Sequence, residues 1–171
     1  GFARQGGGVR ALNTGATGYV ASAPKPMGAY AHAREAGGLL FLAGIGPRDP
    51  ATDSVPGGPV EAADGTLNDY DVRAQTRQCI QNVRTVLEAH GLGLDAVVDV
   101  HAFLVDMKRD FAAFNAEYAA AFGKLPEPPV RTTVEVRQLP PGGRIAVELK
   151  VIAKAPSVYF VPGGIPDCVK E

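Results

Sequence analysis

At 171 residues, 46% of them hydrophobic and 20% charged, the chain fits one domain with a core of its own plus terminal extensions, and a net charge of −1 excludes the footprint of a polyanion binder. Cys79 and Cys168 supply neither a disulfide framework nor a zinc spacing, and the three histidines show no ligand spacing, so no metal is expected. No apolar run reaches the ~18–20 residues of a membrane span, and the N-terminal residues lack a secretory hydrophobic region, so the expectation is a cytoplasmic protein without nucleic-acid or membrane partners.

Residues 1–22 are rich in Gly, Ala, Ser and Thr without a sustained period and read as an N-terminal arm. Tyr30–Arg34 and Leu39–Ala43 read as two strands joined at Gly37-Gly38. Residues 47–70 form a proline- and glycine-rich loop that ends in an acidic, turn-rich run. From Asp71 to His90 the apolar positions Val72, Cys79, Ile80, Val83, Val86 and Leu87 recur at three and four, which predicts a helix capped by Asp71 and stopped by Gly91. Residues 94–106 give a strand in which Val98, Val100, Ala102 and Leu104 share a face. A second helix follows, capped by Asp110, with Phe111, Phe114, Tyr118 and Phe122 as its stripe and Gly123 at its end.

Residues 128–153 carry the chemistry. Val134, Val136 and Leu139 mark one strand, Ile145, Val147, Leu149 and Val151 the next, and a Pro-Gly turn joins them. Arg131 offers a planar cationic fork that matches a carboxylate, while Glu148, a glutamate on an apolar strand, can hold or deprotonate a water. Together they read as a means of binding an anionic substrate and hydrolysing it. The order β-β-α-β-α-β-β predicts an α+β domain over residues 23–155, two helices covering one face of a mixed sheet. The other face needs a cover, so a homo-oligomer is expected, and residues 156–171 read as a C-terminal tail. No glycine cluster follows a strand and opens a helix, so no phosphate loop is expected.

Five blocks in order over residues 23–153 resemble the RidA/YjgF family of enamine and imine deaminases: Gly28-Ala29-Tyr30, Leu39–Gly44, Arg73–Arg77 with Asn82-Val83, Asp110-Phe111 with Asn115, Tyr118 and Phe122, and Arg131–Val136 with Val147–Ala153. The resemblance implies a homotrimer of the chorismate-mutase-like fold with active sites between subunits, and no cofactor. It places Arg131 on the family's carboxylate-binding arginine and Glu148 on its water-positioning glutamate, both catalytic. Tyr30, Gly44 and Asn115 fall on pocket-lining, substrate-binding positions.

Thr133 stands where many members have cysteine, which excludes any mechanism needing that thiol; it keeps a hydroxyl toward the substrate. The turn Pro140–Arg144 is two residues longer than the common form. His32, Arg48, Phe103-Leu104-Val105 and Arg131-Thr132-Thr133 are most similar to bacterial 2-aminomuconate deaminases, which implies a hydrolase releasing ammonia from a dicarboxylate enamine to give 4-oxalocrotonate in aromatic catabolism. Arg48 would be the second cation such a substrate needs. The alternatives are a general 2-aminoacrylate or 2-imino acid deaminase and a non-catalytic, trimeric small-acid-binding or regulatory protein. His32 and His101 read as strand-packing or exposed histidines rather than bases.

Overall fold

The computed structural model describes residues 18–155, so the tail 156–171 with Cys168 and most of the N-terminal arm lie outside the described residues. The elements are β1 (Ala33–Ala36), β2 (Leu39–Ile45), α1 (Val72–Ala89), a 3-10 turn (Leu94–Ala96), β3 (Val97–Leu104), α2 (Met107–Phe122), β4 (Val130–Glu135) and β5 (Val147–Lys154). This is the expected α+β order. One five-stranded mixed sheet runs β1-β2-β5-β3-β4, antiparallel except where β4 lies parallel to β3.

The β1–β2 hairpin turns at Gly37 and Gly38, both at positive φ (59° and 76°), a conformation only glycine takes at no cost. Helix α1 starts where the Asp71 carboxylate accepts from the Arg73 and Ala74 amides at 2.8 and 3.2 Å, and stops before Gly91 at φ 74°. Its buried stripe includes Cys79, Val83, Val86 and Leu87, which pack with Phe114 and Phe122 of α2 over Leu40, Leu42, Val100, Leu104, Leu149 and Val151 of the sheet. Each such side chain contributes about 1.5–3 kcal/mol on burial. Both helices thus cover one sheet face, as expected. On the other face Val130 and Val134 remain 67% and 41% exposed, with Phe41, Phe103 and Ile152 half-buried. No described helix is long and apolar enough to cross a membrane.

Several expectations are corrected. The first strand begins at Ala33, so Tyr30 precedes the sheet. Gly18 and Val20, assigned to the arm, belong to the folded unit: Gly18 accepts from the Ala33 amide at 3.1 Å and Val20 joins the core. A bulge after Val97 takes Val98 off the helix-facing side of β3, and Val97 fills the place instead. The strand read through Leu139 ends at Glu135, Ile145 precedes β5, and β3 lies between β4 and β5. The Pro-Gly segment therefore crosses over a strand.

Asp110 is not the cap of α2. Asp106 caps it, accepting from the Arg109 amide at 2.8 Å, and the helix starts a turn earlier, with Phe111 left 40% exposed. Asp110 is 1% exposed and accepts a 2.6 Å bond from the Tyr70 hydroxyl. Arg109 lies over the Tyr70 ring at 3.9 Å and donates to the Tyr70 carbonyl at 3.0 Å. Burial pushes the Asp110 carboxyl above its usual range, with the Tyr70 bond opposing. Tyr70→Phe leaves that carboxyl without its donor, so urea unfolding should show a loss of about 1–3 kcal/mol.

Candidate active site

Glu148 owes its surroundings to an irregularity in β2. Leu40 and Leu42 face the helices, and strict alternation would send Gly44 there too. A bulge intervenes: Phe41 pairs with Ile152 but Gly44 with Lys150, so β2 spends one residue more than β5. Gly44 turns to the open face and Ile45 returns to the core. There Gly44 lies against Glu148, so closely that a Cβ built on it would stand 2.7 Å from the carboxyl carbon. At the bulge the Leu42 carbonyl accepts a 2.7 Å bond from Lys150 Nζ. Burial pushes the Glu148 carboxyl above the usual carboxylate range, and the Lys150 ammonium pulls the other way.

Beside Gly44 opens a cavity of about 40 Å³ with Tyr30, His32, Gly44 and Arg48 in its wall. The Asn82 amide on α1 donates to the Gly46 and Arg48 carbonyls, each at 2.9 Å, and so fastens the loop after β2 to the helix. The Arg48 guanidinium is already engaged. Its Nη1 pairs with the Asp53 carboxylate and its Nη2 donates to the Lys25 carbonyl at 2.6 Å. His32 is buried, and its Nδ1 accepts from the Val20 amide at 2.9 Å, which leaves the proton on Nε2 for the Pro24 carbonyl at 2.9 Å. Both ring nitrogens are spent on holding residues 20–24, in keeping with a packing histidine. His101 is half exposed beside Asp99, 3.1 Å away, also without the setting of a base.

Arg131 belongs to a second cluster. On β4 it pairs with Val100, whose side chain faces the helices, and its Nη2 donates to Asn115 Oδ1 of α2 at 2.9 Å. The guanidinium carbon lies 4.4 Å from the Tyr118 ring centroid and 5.5 Å from that of Phe114. Thr133, two residues on, shares this face, and its buried Oγ1 has no hydrogen-bond partner. The same holds for the Tyr118 hydroxyl, whose pKa burial pushes up to about 12 against the pull of Arg131.

The sequence-predicted residues therefore fall into two groups. Tyr30, Gly44, Arg48 and Glu148 gather at one end of β2 and β5, Glu148 being paired with Phe103 on the open side. Arg131, Asn115 and Thr133 gather between β4 and α2. Val100 and Phe103 alternate to opposite faces of β3, so Arg131 and Glu148 point to opposite faces of one sheet.

A family model described as Endoribonuclease L-PSP matches residues 20–155, nearly all of the described domain. The chain belongs to the RidA/YjgF family. Among its relatives, a RutC family protein of Pyrococcus horikoshii is 38% identical over 135 residues, 79% of this chain and 94% of its own. Protein HMF1 of Saccharomyces cerevisiae is 36% identical over 132 residues, 77% and 88% of the two chains. The solved structure of the YjgF gene product of E. coli superposes with a TM-score of 0.68 at 32% identity, covering 81% of this chain and 98% of that one. This RidA/YjgF chain thus has the YjgF fold.

Sequence reading missed two supports of the Glu148 group. Asn82 sat in a quoted motif, yet only the fold reveals its grip on the Gly46 and Arg48 carbonyls. Lys150 follows Glu148 by two, a spacing that puts both on one face of the strand. Among the described residues no group of three or more acids, histidines or cysteines is placed to hold a metal ion.

A folded-state pKa raised above the unfolded value means that the native state holds the Glu148 proton more tightly, so stability from this group is lost as pH rises through that pKa. Glu148→Gln removes the loss. Urea titrations at pH 4 and pH 7 should show the variant gaining stability relative to the wild type at the higher pH.

Proposed function

We propose that this protein hydrolyses the enamine or imine of a small 2-amino acid to the 2-oxo acid and ammonia, at sites formed between subunits of a homotrimer. The observation that carries this reading is the division of the site. A carboxylate-matching arginine with unpartnered hydroxyls around it lies on one sheet face, and a glutamate of raised pKa lies on the other. One copy cannot bring both to one substrate, whereas two copies can, each supplying one group. The half-exposed apolar face with Val130, Val134, Phe41 and Ile152 gives such an assembly surface to bury.

In this reading Arg131 fixes the carboxylate beside the reacting carbon, held flat by Asn115 and the Tyr118 ring. The enamine takes a proton from solvent at carbon to become the iminium, the protonated imine. Glu148 of the other copy accepts a proton from water as its oxygen adds to the C=N carbon to give a carbinolamine, and returns that proton to nitrogen; the C–N bond then breaks as the carbinol O–H releases its proton to solvent, leaving the 2-oxo acid and ammonia. The raised pKa suits this base, whose proton affinity stands nearer to neutrality than that of an ordinary glutamate. No cofactor enters these steps.

The dicarboxylate 2-aminomuconate is the substrate expected from the sequence, with Arg48 as second cation. A specific observation favours the second reading, a monocarboxylate such as 2-aminoacrylate: the Arg48 guanidinium is already shared by Asp53 and the Lys25 carbonyl. An RNA-cleaving reading, suggested by the words of the family description, has less support from a chain with a net charge of −1.

Ammonia release from 2-aminomuconate and from 2-aminoacrylate, each generated in situ, is the test. Arg131→Ala and Glu148→Gln should each lower turnover by on the order of 10²–10⁴. Mixed after unfolding and refolding together, the two inactive variants should regain up to about a quarter of the wild-type sites, because a trans site needs only one intact face from each copy. No regain would place both groups in one chain, and full activity of either variant would overturn the mechanism. Arg48→Ala should raise KM for 2-aminomuconate about tenfold or more if Arg48 binds a second carboxylate, and leave both substrates unaffected otherwise.

A further inference from the structure

The two buried side-chain hydroxyls left without a partner among the described residues, Tyr118 and Thr133, both adjoin Arg131. For Thr133 the sequence already suggested a place at the substrate. Tyr118 reads in the sequence as part of the apolar stripe of α2, and most of it is that: the ring stacks on Phe122 at 4.5 Å and tilts against Phe114 at 5.8 Å. The hydroxyl is another matter. Tyr118 is 8% exposed, and a hydroxyl sealed from water normally finds an acceptor. A phenylalanine would fill the same stripe with no polar atom to satisfy. Here the hydroxyl is kept, beside the guanidinium that the site reading assigns to the carboxylate next to the reacting carbon.

The surroundings limit what it can do. Arg131 lies over the Tyr118 ring and spends Nη2 on Asn115, and its fork makes no other hydrogen bond or ion pair among the described residues. Arginine and lysine offer no acceptor to a phenol, and the neighbouring Thr133 hydroxyl has not taken it up. An anion seated against Arg131 would provide the missing acceptor. A phenol whose pKa stands near 12 remains protonated at every working pH and so remains a donor.

We propose that Tyr118 is a substrate-binding residue, donating its hydroxyl to the carboxylate that Arg131 holds. This rests on the placement of the substrate carboxylate at Arg131. The cradle then has three kinds of donor, a guanidinium from an edge strand, a hydroxyl from the same strand and a phenol from the helix beneath. Its ligand class is a small planar carboxylate.

Tyr118→Phe tests it, since the change removes one oxygen and keeps the ring. Two readouts are taken: KM and kcat for ammonia release, and calorimetric affinity for pyruvate, the oxo acid that 2-aminoacrylate hydrolysis yields. The expected result is a weakening of pyruvate binding and a rise in KM of on the order of tenfold, with a melting temperature equal to or above that of the wild type, because the lost hydroxyl bonds nothing in the free protein. Unchanged KM and pyruvate affinity would overturn the proposal, and so would a lowered melting temperature with unchanged KM, which marks a structural hydroxyl. Arg131→Ala run alongside separates the two levels. If it abolishes pyruvate binding while Tyr118→Phe does not weaken it, only the role of Tyr118 falls; if pyruvate binds Arg131→Ala as it binds the wild type, the carboxylate site itself is misplaced.

Discussion

The pleat of the sheet governs this protein. Successive side chains on a strand leave opposite faces, and residues paired across strands share a face. Arg131 is registered with Val100 and Glu148 with Phe103, three positions apart on β3 and therefore on opposite sides. No rotamer change can bring a side chain through a hydrogen-bonded sheet. The helix side is filled by α1 and α2, and the Arg131 cluster survives there only because β4 is an edge strand with the flank of α2 beside it. The other side has no helix cover among the described residues. The layering of the fold and the division of the candidate site both follow from that one alternation.

Within the open-face half, two devices convert a regular sheet into a site. The β2 bulge turns Gly44 out of the core sequence of Leu40 and Leu42 and lays it on Glu148, where any larger residue would displace the carboxylate. The second device is polar and buried in α1. Gln75 donates to the Gly58 carbonyl at 2.9 Å and accepts from the Ala146 amide at 2.8 Å, and Asn82 grips the Gly46 and Arg48 carbonyls. Segments that lie outside the strands are thereby fixed to α1. A buried amide side chain can do this because it satisfies a donor and an acceptor at once, which an apolar residue in the same stripe cannot.

The elements with a strong period were legible in the sequence. Helix α1 is found within a residue of its expected ends because Asp71 and Gly91 mark them, and the alternation of Val147, Leu149 and Val151 marks β5. The family blocks set Tyr30, Gly44 and Asn115 together as pocket-lining positions, whereas the structure gathers Tyr30 and Gly44 with Arg48 and sets Asn115 beside Arg131. What the sequence concealed is what depends on pairing. Period 2 assigns a strand two faces without saying which is buried, and nothing in residues 128–153 tells that β3 intervenes between β4 and β5. The bulges in β2 and β3 shift the period by one residue at positions that still look apolar, which is why Val98 was placed on the wrong face. Asp106 and Asp110 are both capping residues by type, four apart. Only the tertiary bond from Tyr70 decides which one is buried.

The separation also answers an electrostatic problem. An arginine and a glutamate side by side in one chain would pair, closing the fork that should receive a carboxylate and lowering the pKa of the base. The partners found here avoid both. Arg131 is oriented by a neutral amide and an aromatic face, neither of which cancels its charge. Among the described residues Lys150 is the one cation acting on Glu148, and Lys150 is turned toward the Leu42 carbonyl, so desolvation still wins and the carboxyl keeps its affinity for a proton. A cation left uncompensated and a base left basic are the two properties the proposed hydrolysis needs. Placing them on opposite faces of one sheet keeps them from pairing within one copy, which the proposed two-copy site requires.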